Sequence, residues 1–226
     1  MTYDLKKDQN KLKIRVLIVT SVSAEKEAVL RGLGEATYFD VLVAGVGQAA
    51  AAATTAKELA TTTYDLVINA GIAGGFVGKA DVGSLVVSSE VIAADLGAES
   101  QEGFLSLEEL NLGSSSVQVD DNLVTHIVNE GKKAGLSITT GATLTLSTVT
   151  GTAQTAAELA ARFPHAVSEG MEGFGVAEAA KQQGIPVVEI RSISNKVGPR
   201  DRESWRIKEA LATLERASAI LPEVFK

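Results

Sequence analysis

PVVEIRSISNKVGPRD, residues 186–201, starts as an apolar β run from Val187 to Ile193. It turns polar at Ser194, Asn195 and Lys196 before Gly198 and Pro199 stop regular structure. A strand that carries Arg191, Ser194 and Asn195 to its own carboxyl end puts polar groups where open α/β sheets bind ligands. Just upstream, Ser168-Glu169-Gly170-Met171-Glu172 opens a helix of small residues, Gly173, Gly175, Ala177, Ala179 and Ala180, which can pack closely. Its first turn meets a strand end. Gly184-Ile185-Pro186 turns the chain into the quoted strand, and Glu203 to Phe225 reads as one long amphipathic helix.

The same alternation runs through the first half of the chain. Ile14 to Thr20 is a strand apolar enough to be covered on both faces, and Ala24 to Leu33 is a helix. Glu25, Lys26 and Glu27 lie in that helix's first turn, where the macrodipole favours carboxylates. Glu25 is given that structural role, and Glu27 is kept for a site. Phe39 to Ala44 is a second strand, followed by Gly45-Val46-Gly47 and an alanine-rich helix, Gln48 to Ala60. The third glycine of a dinucleotide fingerprint is replaced by Ala50, which argues against that use. Leu66 to Ala70 runs into Gly71-Ile72-Ala73-Gly74-Gly75, a turn whose bare backbone is open to a ligand.

Asp81 to Asp95 reads as a long, bent strand, and Leu96 to Ser116 as a loop that could cover a pocket. Asp120 to Gly135 is an amphipathic helix with Leu123, Ile127 and Val128 inward and His126 on the polar side. A Thr/Ser-rich strand, Leu136 to Val149, a helix from Ala153 to Phe163 and a short strand from Ala166 complete the series. This order implies an α/β fold, a three-layer α/β/α sandwich with a mixed central sheet. One domain over residues 1–226 is expected, with residues 1–13 a flexible N-terminal extension.

Composition narrows the function classes. A net charge of −7 with no Lys/Arg block opposes nucleic-acid binding. No cysteine and two histidines leave little for a metal centre, so neither a metal nor a cofactor is expected. The first 13 residues lack the apolar stretch of a secretory signal, and no apolar run approaches the ~20 residues of a membrane span. A soluble, cytoplasmic protein with no membrane partner is expected.

The strand-end residues collect into a pattern. A Glu after the first strand, "NAGIAGG" (69–75), "EGMEGFGVAEAA" (169–180) and "RSISN" (191–195) resemble the nucleoside phosphorylase and nucleosidase superfamily. "RSISNKVGPRDRESWRI" (191–207) and "DLGAE" (95–99) look most like its futalosine hydrolase family, which releases hypoxanthine from futalosine in an alternative menaquinone pathway. The resemblance runs from Ile14 onward and implies an N-ribosidic hydrolase acting on a small nucleoside with water. It also implies a homodimer or higher homo-oligomer whose partner helps cover the site.

By that resemblance, Glu172 with Met171 would hold the ribose hydroxyls, Glu27 would be the general base that activates water, and Arg191 would organise the polar cluster. The turn residues Ile72, Ala73 and Gly74 would line the site. Val149 and Thr150 would flank the purine, with Ser194 beside Asn195. Trp205 would stack near the 5′ substituent, whose carboxylate Arg200 or Arg202 would meet. A carboxylate where a phosphorylase binds phosphate favours hydrolysis. Adenine-cleaving relatives carry Asp where this chain has Asn195. A neutral amide, NH2 to O6 and C=O to a proton on N7, instead suits a 6-oxopurine. At Ile72 a serine is common. The competing readings are a methylthioadenosine or S-adenosylhomocysteine nucleosidase, a 6-oxopurine phosphorylase, and a catalytically silent nucleoside-binding protein.

Overall fold

A computed structural model describes residues 14–225; the expected N-terminal extension lies outside the described residues. In chain order the elements are β1 (Val16–Thr20), α1 (Ser23–Leu33), β2 (Phe39–Val43), α2 (Gln48–Leu59), β3 (Leu66–Gly75) and β4 (Leu85–Ala93). There follow β5 (Gly97–Ser100), β6 (Gly103–Ser106), β7 (Ser116–Gln118), α3 (Asp121–Lys133), β8 (Ile138–Thr145) and α4 (Ala153–Arg162). The chain ends with β9 (Ala166–Gly170), α5 (Gly173–Gln182), β10 (Val187–Lys196), a 3-10 turn (Arg202–Ser204) and α6 (Ile207–Val224).

The expected mixed sheet is present. All five residues of β1 are buried, as its apolar run requires, and β1 lies parallel between β2 and β3. β3 then lies parallel to β10 along its length, and its last two residues pair antiparallel with β9. β10 continues antiparallel to β4, β4 parallel to β8, and β8 parallel to β9. The strands β3, β10, β4, β8 and β9 therefore close on themselves. Buried hydroxyls cross part of this ring: Thr143 Oγ1 lies 2.5 Å from Ser88 Oγ and 2.8 Å from Ser168 Oγ.

Helices cover the sheet in two groups, α1 and α3 against α6, and α2 against α5. The small residues expected in α5 bring it close to α2: a Cβ on Gly175 would fall 2.1 Å from the Gln48 carbonyl oxygen. Asp120 caps α3 by accepting from the backbone N–H groups of Asn122 and Leu123, and Gly135, at φ 74°, ends the helical stretch. His126 on α3 is half-buried rather than solvated. Among the described residues no helix is long and apolar enough to cross a membrane.

Four expected boundaries are corrected. Gly71 to Gly75 is not a turn but strand, because β10 and β9 offer hydrogen-bonding partners on either side. Residues 96–116 contain the β5–β6 hairpin and reach β7, which pairs with β4. The strand expected to reach Val149 stops at Thr145, leaving 146–152 as a loop. The last helix begins at Ile207, since the chain before it is tied down by Asp201 capping Glu203 and by Arg206 N donating to Ser194 O at 2.8 Å.

Candidate active site

The carboxyl ends of β1, β3 and β10 and the start of α5 converge on Arg191. Its side chain is 1% exposed, and its Nε donates to Glu189 Oε1 at 2.6 Å. The guanidinium Nη2 has no hydrogen-bond partner and lies 3.6 Å from Glu172 Oε2. Burial acts to lower the Arg191 pKa, but the facing carboxylates, Glu189 first, then Glu172 and Glu25, hold it above its ordinary value. Two glycines make room for the group. A Cβ on Gly71 would sit 2.6 Å from both Arg191 Nη1 and Glu25 Oε1, and one on Gly170 would sit 3.5 Å from the guanidinium carbon.

Glu172 is the N-cap of α5, yet its carboxylate does not cap the helix. Thr145 of β8 does that work, its Oγ1 accepting from Phe174 N at 2.8 Å. The Glu172 carboxylate is therefore released toward the site, where Oε1 accepts from Gly47 N at 3.1 Å and Oε2 faces Arg191.

Glu25, not Glu27, is the acid of α1 that reaches this cluster. Glu25 is 2% exposed, whereas Glu27 is exposed on the helix surface. Helical phase explains the difference: Glu25 shares its face with the buried Ala28 and Val29, three and four residues on, and Glu27 shares its face with the exposed Leu30. Glu25 Oε2 accepts from Ser21 N, Ser21 Oγ and Val22 N, at 2.9, 2.7 and 3.3 Å. Among the described residues its Oε1 accepts only from Ile72 N, at 2.8 Å, and so keeps capacity for another donor. The helix-terminal role expected for Glu25 is real, but it uses one oxygen of two.

The backbone of β3 ties the acid end of the site to the amide end. Ile72 donates to Glu25, Ala73 O lies 3.2 Å from Ser194 Oγ, and a Cβ on Gly74 would lie 3.4 Å from Asn195 Nδ2. Asn195 follows a register shift in β10 that separates it from Ile193. It is half-buried, its Oδ1 accepting from Ser194 Oγ at 2.8 Å and its Nδ2 donating to Lys196 O at 3.0 Å. Each of its polar atoms therefore retains one unused valence, a donor and an acceptor side by side.

Thr150 is buried and clamped by Glu169 of β9. Thr150 N donates to Glu169 Oε1 at 2.8 Å and Thr150 Oγ1 to Oε2 at 2.5 Å. Burial raises the Glu169 carboxyl above its usual pKa against the pull of these two bonds. Val149 beside it is half-buried, and Gly151 O accepts from Arg200 N at 3.2 Å, which joins this loop to the segment carrying Trp205. Trp205 is half-buried, with the Arg200 guanidinium 5.1 Å and that of Arg202 6.0 Å from its ring centre. Met171 is half-buried directly before Glu172.

Among the described residues no group of His, Asp and Glu is arranged to hold a metal ion. Around Arg191 and Asn195 the polar equipment is the carboxylates of Glu25, Glu172 and Glu189, one guanidinium, the carboxamides of Asn69 and Asn195, and the backbone of β3. It can accept a proton, bind vicinal hydroxyls and read a mixed donor–acceptor edge.

A family model described as the phosphorylase superfamily matches residues 15–226. A futalosine hydrolase of Streptomyces coelicolor is 45% identical to this chain, covering 94% of it and 97% of the relative. The chain belongs to the phosphorylase superfamily and, within it, to the futalosine hydrolase family. A second futalosine hydrolase, from Acidothermus cellulolyticus, is also 45% identical, covering 93% of this chain and 91% of its own. The native structure of futalosine hydrolase of Helicobacter pylori matches with a TM-score of 0.81 over 93% of this chain and 98% of that one. At 16% identity this second kind of likeness is one of fold.

Reading the sequence missed Glu189, Asn69 and Glu169 as parts of this futalosine hydrolase-family site. Glu189 carried a visible signal: an acid inside the apolar run VVEIR, two residues from Arg191, shares that residue's side of the strand. Asn69 and Glu169 stood inside quoted motifs without a role.

Proposed function

We propose that this chain hydrolyses the N-ribosidic bond of futalosine, releasing hypoxanthine and dehypoxanthine futalosine in menaquinone biosynthesis. The observation that carries the substrate choice is Asn195. With Oδ1 engaged by Ser194 and Nδ2 by Lys196 O, one amide proton and one oxygen lone pair remain. A 6-oxopurine presents the complement, an acceptor at O6 and a donor at N7 once that nitrogen is protonated. An aspartate here would set a carboxylate oxygen against the Lys196 carbonyl, and it offers no donor unless protonated.

The reaction follows from the rest of the cluster. Glu172 accepts from a ribose hydroxyl, while Arg191 Nη2 stands 3.6 Å from its Oε2. A water held at Glu25 Oε1 gives up its proton to that carboxylate as its oxygen bonds to the anomeric carbon. The electrons of the breaking C–N bond pass to the purine, which takes up a proton at N7 from solvent water and leaves through an oxocarbenium-like transition state, and Glu25 afterwards returns its proton to solvent. Arg191 is already balanced by carboxylates, so water is favoured over phosphate as the nucleophile. Trp205 between Arg200 and Arg202 offers a stacking face and positive charge for the carboxyphenyl end of futalosine.

We further infer a cytoplasmic enzyme that works as a homodimer or higher homo-oligomer. The absence of cysteine agrees with a reducing compartment, and size-exclusion chromatography with light scattering tests the assembly. The reaction is tested by incubating the enzyme with futalosine, inosine and methylthioadenosine, with and without phosphate, and identifying the free base. Hypoxanthine from futalosine without phosphate is expected. Adenine as preferred product, or a phosphate requirement, overturns the reading.

A further inference from the structure

Glu189 is an acid inside the apolar run of β10 and is 1% exposed. Its Oε1 accepts from Arg191 Nε at 2.6 Å and from Asn69 Nδ2 at 3.1 Å, while Oε2 has no partner. The first residue of α5 is shaped around it. A Cβ on Gly173 would fall 2.4 Å from Oε2 and 2.5 Å from Oε1. A leucine at 189 would suit the strand better, because a buried carboxylate is costly unless it is used.

Arg191 faces three carboxylates from three elements: Glu25 of α1, Glu172 at the head of α5, and Glu189 two residues before it. Among the described residues only Glu189 hydrogen-bonds the guanidinium, and it does so through Nε. That leaves Nη2 unpartnered and 3.6 Å short of Glu172 Oε2, a separation too long for a hydrogen bond. Freed from Glu189, the guanidinium would be drawn onto Glu172, and the 3.6 Å separation would close.

We propose that Glu189 is a positioning residue of the hydrolase site proposed above: it anchors Arg191 from behind and balances its charge, so that Glu25 and Glu172 face a neutral ion pair instead of a bare cation. The role acts through Arg191 and rests on the N-ribosidic reading. Burial lifts the Glu189 carboxyl above its usual pKa while Arg191 pulls it down, and the 2.6 Å contact is that of an ion pair.

Two variants separate charge from position. Glu189→Gln keeps an oxygen for Arg191 Nε and Asn69 but removes the negative charge. Arg191 then stabilises the ionised forms of Glu25 and Glu172 more strongly, so the acid limb of the kcat/KM–pH profile moves down by about one pH unit. Plateau kcat falls about ten-fold, because the more acidic carboxylate is a weaker base. Glu189→Asp keeps the charge and draws Arg191 back, so the acid limb stays in place while KM for the nucleoside rises about ten-fold. Circular dichroism and thermal melting confirm folding of each variant. An active Glu189→Gln enzyme with an unmoved acid limb overturns the role, as does wild-type KM in Glu189→Asp. Wild-type enzyme that cleaves no nucleoside overturns the reaction itself and the role with it, and the same assay distinguishes that outcome.

Discussion

Two residues apart on one helix, Glu25 and Glu27 illustrate how much depends on phase. In the sequence both read as first-turn acids suited to the helix dipole, although α1 starts at Ser23 and only Glu25 lies in its first turn. Burial of Ala28 and Val29 separates them, because it turns Glu25 inward. Glu25→Gln is expected to lower kcat by about 10³-fold, the worth of a general base, and Glu27→Gln to leave kcat within about two-fold, both read by steady-state hydrolysis of futalosine. Asn195 was legible from the start as an amide in the position of an acid, although its local bonds to Ser194 and Lys196 were not. Asn195→Asp is expected to lower kcat/KM for the hypoxanthine nucleoside by about 10²-fold, since one matched pair is lost and a carboxylate meets a carbonyl. An unchanged kcat/KM removes the edge-matching argument.

The small residues of α5 gave a sound expectation of close packing, and the partner proved to be α2 at the Gln48 carbonyl. Gly175→Ala forces backbone apart at that crossing. It is expected to cost about 1–3 kcal/mol and to lower the melting temperature by roughly 3–10 °C, measured by calorimetry. An unaltered melting temperature would mean the two helices can separate freely. The same crossing holds Gly47, whose N–H anchors Glu172, so KM for the nucleoside is expected to rise in the same variant. Other elements were less legible. The glycines of β3 have the composition of a turn, and become strand only because β9 and β10 are there to pair with them. The β5–β6 hairpin hides in a stretch of turn residues and scattered acids, where four-residue strands leave too short a period to see.

The sheet's closure through β3 and β10 buries carboxylates that an open sheet would leave wetter, and this has a consequence for acid stability. The Glu169 carboxyl is raised from 4.5 by burial, so the folded chain holds that proton more tightly than the unfolded chain. Its stabilising effect is present below about 4.5 and is lost as pH rises through the raised folded value. Glu169→Gln, which does not titrate, should therefore gain in melting temperature relative to wild type between pH 4.5 and 7.5. A difference that stays constant across that range contradicts the burial argument. The order of the helices and of the strands other than β5, β6 and β7, the mixed α/β architecture and the polar character of the β10 terminus were readable in the chain, because apolar period and glycine placement are local properties. The bond that ties Glu25 to Ile72, the release of Glu172 by Thr145 and the pairing of Glu189 with Arg191 and Asn69 were not. Those depend on groups such as Gly47 and Glu172, 125 residues apart, or Asn69 and Glu189, 120 apart, and no local spacing specifies contacts over that separation.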